Sequence, residues 1–155
     1  EYLSKIKLHD LETSFTINTW ANKVIIDYLI TNNIKVKQVV AISSGASQKT
    51  YTGWAEYSIS KAALNMMIQV YAEENPDIHF LSVSPGPVDT PIQDYINKNI
   101  DGRKYKWKKK FSDMKKNNDL PKASWVADNL HQIMPTLKKY ESGSFLDLRN
   151  LQFLI

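Results

Sequence analysis

The feature that most constrains this chain is an alternation of long helical patterns with short apolar runs. Three segments carry apolar residues at helical spacing: residues 8–31, 54–74 and 122–137. Three apolar runs of strand length follow them in alternation: residues 37–42, 78–84 and 144–148. Because two parallel strands need a long crossover connection, usually a helix, this alternation is typical of a parallel sheet covered by helices. The sequence therefore predicts the α/β class.

The predicted sheet is incomplete. A Rossmann-like, doubly wound parallel sheet usually has six or more strands with helices on both faces, and only three strands are predicted here. At 155 residues the chain has the length of one domain, and it begins at Glu1 without a methionine. We therefore expect residues 1–155 to be the carboxyl-terminal part of one Rossmann-like domain whose amino-terminal βαβ units are missing from this chain.

Composition argues against metal and membrane functions. The chain has no cysteine, and its three histidines lie far apart in the sequence, so no metal site is expected. No stretch reaches the roughly 18 consecutive apolar residues that span a bilayer, and the first residues contain no apolar signal region. We expect no membrane partner and a cytoplasmic location.

Residues 103–116 form the most basic segment of the chain. Tyr105, Trp107 and Phe111 interleave with its lysines, an arrangement that can bind single-stranded nucleic acid through base stacking. A single lysine run is more often a solvated surface, and only two residues of the chain are arginine, the side chain best suited to phosphate recognition. Nucleic-acid binding is therefore a distant alternative, and no nucleic-acid partner is expected.

Ser44, Tyr57 and Lys61 form the most informative constellation. Tyr57 and Lys61 are four residues apart on a predicted helix, so both project from one face. An ammonium close to a phenol favours the phenolate and makes the hydroxyl usable as a general acid or base. Ser44 ends the first predicted strand, where ligands collect in open α/β sheets, and its hydroxyl can hold a carbonyl oxygen. These residues predict proton exchange with a bound carbonyl compound.

The context of this constellation resembles the short-chain dehydrogenases/reductases. Three segments match that family in order and spacing: residues 39–44 (VVAISS), 57–64 (YSISKAAL) and 85–90 (PGPVDT). A second Tyr-x-x-x-Lys pair, Tyr105 and Lys109, has neither a strand nor a serine before it. Ala41 stands where the family commonly has Asn, and the family's glycine-rich pyrophosphate turn is absent. The resemblance covers nearly all of this chain but only about the carboxyl-terminal three fifths of the family fold.

The resemblance implies catalytic roles for four residues. Ser44 would orient the substrate carbonyl, and Tyr57 would exchange the proton. Lys61 would favour the phenolate of Tyr57 and bond the nicotinamide ribose. Asn18, in the segment Phe15-Thr16-Ile17-Asn18, would support a water-mediated proton relay behind Lys61. The simpler alternatives are that Ser44 only caps a strand end and that Asn18 is an ordinary polar helix residue.

The resemblance also implies a nicotinamide cofactor. Its contacts would be the catalytic Tyr57 and Lys61 and a loop after the second strand that contains Pro85, Gly86, Val88 and Thr90. Thr90 could equally serve as the N-cap of a helix that begins at Pro91.

Within the family, residues 53–57, 85–93 and 142–147 look like segments of sepiapterin reductases and of benzil-type diketone reductases. The likeness implies that Ser44, Trp54, Gln93 and Asp147 bind substrate, since an aspartate at the position of Asp147 anchors the pterin in sepiapterin reductases. Asp147 could also be purely structural. The resulting hypothesis is an NADP-dependent reductase of a ketone or diketone, with a sepiapterin-like substrate favoured. NAD is the other possible cofactor, and the alternatives are a benzil-type diketone reductase or a non-catalytic fragment.

The two long predicted helices carry apolar residues on more than one face. The first helix carries Ile26 and Ile30, and the second carries Met67 and Tyr71. Together these helices have more apolar surface than one face of a sheet can cover. In the resembled family the equivalent helices pair between subunits. We therefore expect a homodimer through them.

Overall fold

A computed structural model describes residues 1–151 of the chain. Three strands form its sheet: β1 (Gln38–Ile42), β2 (His79–Ser84) and β3 (Phe145–Asp147). Six α-helices accompany the strands within these residues: α1 (Leu8–Phe15), α2 (Ala21–Thr31), α3 (Ala55–Glu74), α4 (Pro91–Asn99), α5 (Trp107–Lys116) and α6 (Ala123–Ile133). The predicted order of helices and strands is confirmed.

The sheet has the order β1-β2-β3, and both strand pairs are parallel. Val40 lies opposite Leu81, and Val83 lies opposite Leu146. The carboxyl ends of all three strands consequently meet at one edge, as the sequence predicted for Ser44.

Helices cover both faces of the sheet, which is the doubly wound arrangement. Side chains alternate along β2, so Phe80 packs with Leu64 and Ile68 of α3 on one face. Leu81 packs on the other face in a cluster that includes Ile133 of α6. The two clusters hold β2 between helical layers and fix the strand ends that carry the site.

The helix predicted over residues 8–31 is interrupted by one π-helical turn at Thr16–Trp20, between α1 and α2. Such a turn inserts an extra residue into the helix and is frequent at functional sites. Asn18 lies inside this turn, so the turn determines which neighbour its side chain reaches.

Helices α4 and α5 follow β2 and form a cap beside the strand ends. Lys108 Nζ donates a hydrogen bond to Asn97 O over 3.0 Å, which ties the two helices together. Tyr105 and Phe111 of the basic segment are buried, so these two rings are not available for stacking on bases. The nucleic-acid alternative therefore draws no support from them.

The apolar faces of α2 and α3 differ from the prediction in one respect. The four residues named as more than one sheet face can cover all pack on the core: Ile26 and Tyr71 are buried in it, and Ile30 and Met67 lie partly buried against it. Other apolar side chains of these helices are exposed: Val24, Ile25, Tyr28, Ile59, Met66 and Val70. The expectation of a second apolar face holds, with different residues on it.

None of the helices described for residues 1–151 combines the length and apolar character needed to cross a membrane.

Candidate active site

A cavity of about 590 Å³ lies at the carboxyl edge of the sheet. Its walls come from the turn after β1, the start of α3, the loop after β2, α4, α5, α6 and the turn after β3. Most of the predicted site residues line it: Ser44, Trp54, Tyr57, Lys61, Pro85, Gly86, Val88, Thr90 and Gln93. Asn18 and Asp147 do not.

Ser44 is placed by a short turn. The chain leaves β1 in an extended conformation and enters a 3-10 turn at Gly45–Ser47, for which Ser44 is the N-cap. The Ala46 amide donates to Ser44 Oγ over 3.1 Å. The capping role considered for Ser44 is thus real, and it is compatible with catalysis because the hydroxyl keeps its proton to donate into the cavity.

A buried polar network supports this turn from behind. Ser43 Oγ donates to Asn65 Oδ1 over 2.6 Å, and Asn65 Nδ2 donates to Ser47 Oγ over 2.7 Å. Ser47 Oγ in turn donates to Ser44 O over 2.6 Å. The chain of bonds connects α3 to both sides of Ser44 and fixes the orientation of the turn.

Sequence reasoning missed Asn65. The available signal was its spacing, since Asn65 lies one helical turn beyond Lys61 and two beyond Tyr57, on the same face of α3. Asn65 also lies between the core residues Leu64 and Ile68 of α3, and a polar side chain buried there needs a hydrogen-bond partner.

Tyr57 and Lys61 stand on the first turns of α3, as predicted. Lys61 Nζ donates to Ile42 O over 2.9 Å, which holds the ammonium at the end of β1. It lies 6.0 Å from the centre of the Tyr57 ring. Burial lowers the pKa of Lys61 below its usual range, because desolvation penalises the charged form.

Asn18 reaches the helix that carries Tyr57 and Lys61 but does not bond to either side chain. Asn18 Nδ2 donates to Ser60 Oγ over 3.1 Å, and Ser60 Oγ donates to Tyr57 O over 3.0 Å. The neighbouring Thr19 Oγ1 donates to Ser60 O over 2.8 Å. The π-helical turn is therefore joined to α3 beside Lys61, and the proton-relay role of Asn18 stays a prediction.

The loop after β2 brings Pro85, Gly86, Val88 and Thr90 to the cavity. Gly86 has a φ of +81°, in the left-handed region that favours glycine. Thr90 occupies the N-cap position of α4, but its hydroxyl donates to Val88 O over 3.4 Å and makes no capping bond to the helix. Its side chain therefore belongs to the loop.

Trp54 belongs to an aromatic wall. Its ring stacks on Phe111 at 5.6 Å between centroids and meets Tyr57 edge-on at 5.7 Å. Trp107 packs edge-on against Trp54 at 4.9 Å, and its indole nitrogen donates to Thr52 O over 2.7 Å. The basic segment thus turns its rings toward the cavity side of α3, and Phe111 joins Trp54 and Tyr57 in lining the cavity.

Gln93 presents an unusual group to the cavity. It is 4% exposed, and its Oε1 has no hydrogen-bond partner among residues 1–151. A buried acceptor without a donor is costly, so the cavity wall is suited to an occupant that carries an N–H or O–H group.

Asp147 ends β3 but pairs with its own neighbour. Arg149 Nε donates to Asp147 Oδ1 over 2.9 Å, and Arg149 Nη2 donates to Asp147 Oδ2 over 2.5 Å. These bonds hold the pKa of the Asp147 carboxyl below its usual range. The cavity is lined by Arg149 instead. Sequence reasoning missed Arg149, although it is one of only two arginines and follows Asp147 by two residues.

Comparison with known proteins agrees with this site. The model of the short-chain dehydrogenase family matches residues 2–101, a stretch that contains Ser44, Tyr57 and Lys61.

The chain belongs to the short-chain dehydrogenase family. Family members use a nicotinamide cofactor for oxidation or reduction, which the arrangement of Ser44, Tyr57 and Lys61 suits.

Relatives and a solved structure extend the comparison. The chain is 34% identical to the sepiapterin reductase of Bos taurus over 112 residues, which cover 72% of this chain and 40% of that protein. It is 27% identical to the benzil reductase, (S)-benzoin forming, of Bacillus subtilis over 150 residues, which cover 92% of this chain and 60% of that protein. A short-chain dehydrogenase/reductase structure from Saccharomyces cerevisiae superimposes with a TM-score of 0.82 at 23% identity, over 99% of this chain and 62% of that one.

The chain thus spans between about two fifths and three fifths of the length of these short-chain dehydrogenase proteins. The superposition confirms the fold class predicted from the sequence, a Rossmann-like sheet represented by part of its strands.

Proposed function

We propose that the protein to which this chain contributes is an NADP-dependent carbonyl reductase that reduces a ketone or diketone. The observation that carries the proposal is the convergence of Ser44, Tyr57 and Lys61 on one cavity at the carboxyl edge of the sheet. Each residue comes from a position that the sequence singled out, and a buried network fixes the turn that holds Ser44.

The chemistry follows from these side chains. Ser44 donates a hydrogen bond to the substrate carbonyl oxygen and polarises the carbonyl. A reduced nicotinamide held beside Lys61 would supply the hydride that the carbonyl carbon accepts. Tyr57 gives its hydroxyl proton to the oxygen that becomes the alcohol. Lys61, held by Ile42 O, stabilises the phenolate that Tyr57 leaves behind.

The residues present fit the nicotinamide portion of such a cofactor. Lys61 offers ammonium donors, and the loop from Pro85 to Thr90 supplies backbone groups at the strand end. Gln93 Oε1 is a buried acceptor that a carboxamide N–H can satisfy. The preference for NADP over NAD draws on the likeness to sepiapterin reductases.

An aromatic ketone or diketone is the substrate class that the geometry supports best. Tyr51, Trp54 and Phe111 give the cavity an aromatic wall, which suits a flat aromatic group. The 27% identity to a benzil reductase agrees with this class.

A sepiapterin-like pterin, favoured by the sequence, is the second candidate. The relative that is 34% identical supports it. Pterin recognition through Asp147 would compete with Arg149, which already donates to both carboxylate oxygens.

The assembly that we propose is a homodimer through α2 and α3. The exposed Val24, Ile25 and Tyr28 on α2, with Met66 and Val70 on α3, supply an apolar surface for it. A monomeric mass of the complete protein at micromolar concentration would contradict the homodimer.

The cytoplasmic location stays a prediction.

The decisive experiment measures NADPH oxidation by the protein encoded by the complete reading frame, with benzil and with sepiapterin. We expect a higher kcat/KM with benzil than with sepiapterin.

The variant Asp147→Asn separates the two substrate classes. An increase of about tenfold or more in the KM for sepiapterin alone would make the pterin the substrate. Absence of turnover with any carbonyl compound would favour the non-catalytic alternative, and salt-dependent binding of single-stranded nucleic acid would favour the nucleic-acid alternative.

A further inference from the structure

Arg149 is the cationic side chain of the cavity that the proposed chemistry leaves without a role. It lines the cavity together with Lys61 and the other catalytic residues. Among residues 1–151, no aspartate or glutamate lines the same cavity. The wall of the cavity therefore offers the ammonium of Lys61 and the guanidinium of Arg149, while the carboxylate of Asp147 pairs with Arg149 and is not part of the wall. Donors of this kind suit an anionic group that bonds directly to the guanidinium.

The Arg149 side chain lies close to two glycines, in space that a side chain at either position would restrict. A β-carbon placed on Gly86 would lie 2.7 Å from Arg149 Cδ, so the arginine stem fills the space that any side chain at residue 86 would need. A β-carbon placed on Gly45 would lie 3.6 Å from Arg149 Nη2. The guanidinium consequently lies against the residue that follows Ser44, next to the expected position of the substrate carbonyl.

The orientation of the guanidinium is set by Asp147. The carboxylate accepts hydrogen bonds from Arg149 Nε and Nη2, and also from the Arg149 backbone amide over 3.1 Å. A two-point pair of this kind fixes the plane of the guanidinium. Two of its five N–H donors are used on Asp147, which leaves three without a described partner. The side chain is 53% exposed, so these donors are open to a ligand.

The geometry points to Arg149 as the specificity residue for an anionic group, such as a carboxylate, carried next to the ketone of the substrate. Asp147 is then the residue that positions Arg149, and it does not touch the substrate. The inference rests on the proposed function, because Ser44 and Tyr57 define where the ketone lies. A phosphate of the cofactor could supply the same negative charge, so the experiment has to separate the two sources.

A matched pair of compounds tests the inference. Phenylglyoxylate and 1-phenylpropane-1,2-dione share a phenyl ring and an adjacent ketone, and they differ in a carboxylate against a neutral acetyl group. In the complete protein, Arg149→Met is expected to raise the KM for phenylglyoxylate about tenfold or more, because a charge-assisted bond is lost. The KM for the dione should change less than about twofold. Arg149→Lys should recover only part of the loss, because it restores charge without the two-pronged geometry.

Lys49→Met is the matched control. Lys49 is an exposed cation that acts electrostatically on Asp147 but does not line the cavity. Its removal should leave both KM values unchanged. The Kd of NADPH should also be the same in Arg149→Met and wild type.

If the wild type reduces the two compounds, either of two results would overturn the inference. A raised Kd for NADPH, with an unchanged ratio of the two KM values, would assign Arg149 to a cofactor phosphate. Equal losses on both compounds with a lower Tm would make the role of Arg149 structural.

If the wild type reduces neither compound, the proposed function fails. Calorimetric binding of phenylglyoxylate to the NADP complex then decides the role of Arg149. Binding about tenfold weaker in Arg149→Met would support the inference, and equal binding would overturn it.

Discussion

The turn at residues 43–47 and the cap formed by α4 and α5 border the same cavity but are held in different ways. The turn is fixed by short hydrogen bonds that join the buried Ser43 and Asn65 to each other and Asn65 to the half-buried Ser47. The cap is held mainly by packed aromatic rings and by ion pairs of Lys115 with two carboxylates at the surface, and part-buried hydrogen bonds from Lys108 and Ser112 to Asn97 join its two helices. A buried hydrogen bond is directional and costly to leave unmade, whereas ring packing tolerates small displacements and exposed ion pairs contribute little.

This difference assigns separate tasks to the two regions. The turn sets the position of the reacting groups, so changes there should alter kcat. The cap sets the shape of the substrate space, so changes there should alter KM and leave the chemical step in place.

The largest effect is expected at the reacting group itself. Tyr57→Phe removes the proton donor and little else, so kcat should fall by about 10² to 10⁴ while the Kd for NADPH changes little. Steady-state turnover and fluorescence titration measure the two quantities. Tyr95→Phe is the control, because Tyr95 is exposed on α4 and does not line the cavity. Wild-type activity in Tyr57→Phe would refute the catalytic assignment.

The network behind Ser44 should give the next largest effect. Asn65→Ala leaves Ser43 Oγ buried without an acceptor and frees Ser47, so kcat should fall about tenfold or more. A stability loss of about 1–3 kcal/mol should accompany it. Ile68→Val, in the core one turn further along α3, costs about 0.5–1.5 kcal/mol and should leave kcat unchanged. A parallel loss of kcat in both variants would show that Asn65 acts only through stability.

The aromatic part of the cap should affect substrate binding. Trp107→Phe keeps a ring beside Trp54 but removes the indole bond to Thr52 O. We expect the KM for an aromatic ketone to rise about two- to tenfold, with kcat nearly unchanged. Trp125→Phe serves as control, since Trp125 lies outside the cavity wall. A fall in kcat with constant KM would break the distinction between turn and cap.

The smallest effect is expected at the surface of the cap. Lys115 pairs with Asp89 at 3.0 Å and with Asp94 at 2.6 Å. Because exposed ion pairs contribute little, Lys115→Met should change KM by less than about threefold. High salt should remove even this difference from wild type. A larger change that persists at high salt would mean that the cap depends on this lysine.

The sequence predicted those features that depend on local pattern. Helical and strand periods located all three strands, and the rule that ligands collect at strand ends brought Ser44, Tyr57 and Lys61 to one edge. Local pattern could not predict Asn65 as the hydrogen-bond partner of Ser43, because that bond joins a strand end to a helix residue more than twenty positions away.

Two other misses have a similar cause. The choice of Ile26 and Tyr71 as evidence for a second apolar face was wrong because α2 and α3 each carry two apolar stripes, and composition alone does not say which one meets the sheet. Asp147 was correctly placed at the end of β3, but the 3-10 turn at Leu148–Asn150 returns Arg149 onto its carboxylate. The turn brings the Arg149 stem into the space beside Gly86, a contact between distant residues that is not visible in the sequence pattern.

The order of the sheet has a practical consequence for handling the chain. Within residues 1–151, β1 pairs only with β2, so the opposite side of β1 has no strand partner, although Ile42 O accepts a hydrogen bond from Lys61. Such an edge is a template for another strand, and it promotes association between identical chains. Expressed alone, this chain should therefore aggregate at rising concentration, and Ile42→Lys, at the exposed residue of β1, would test whether edge pairing is the route.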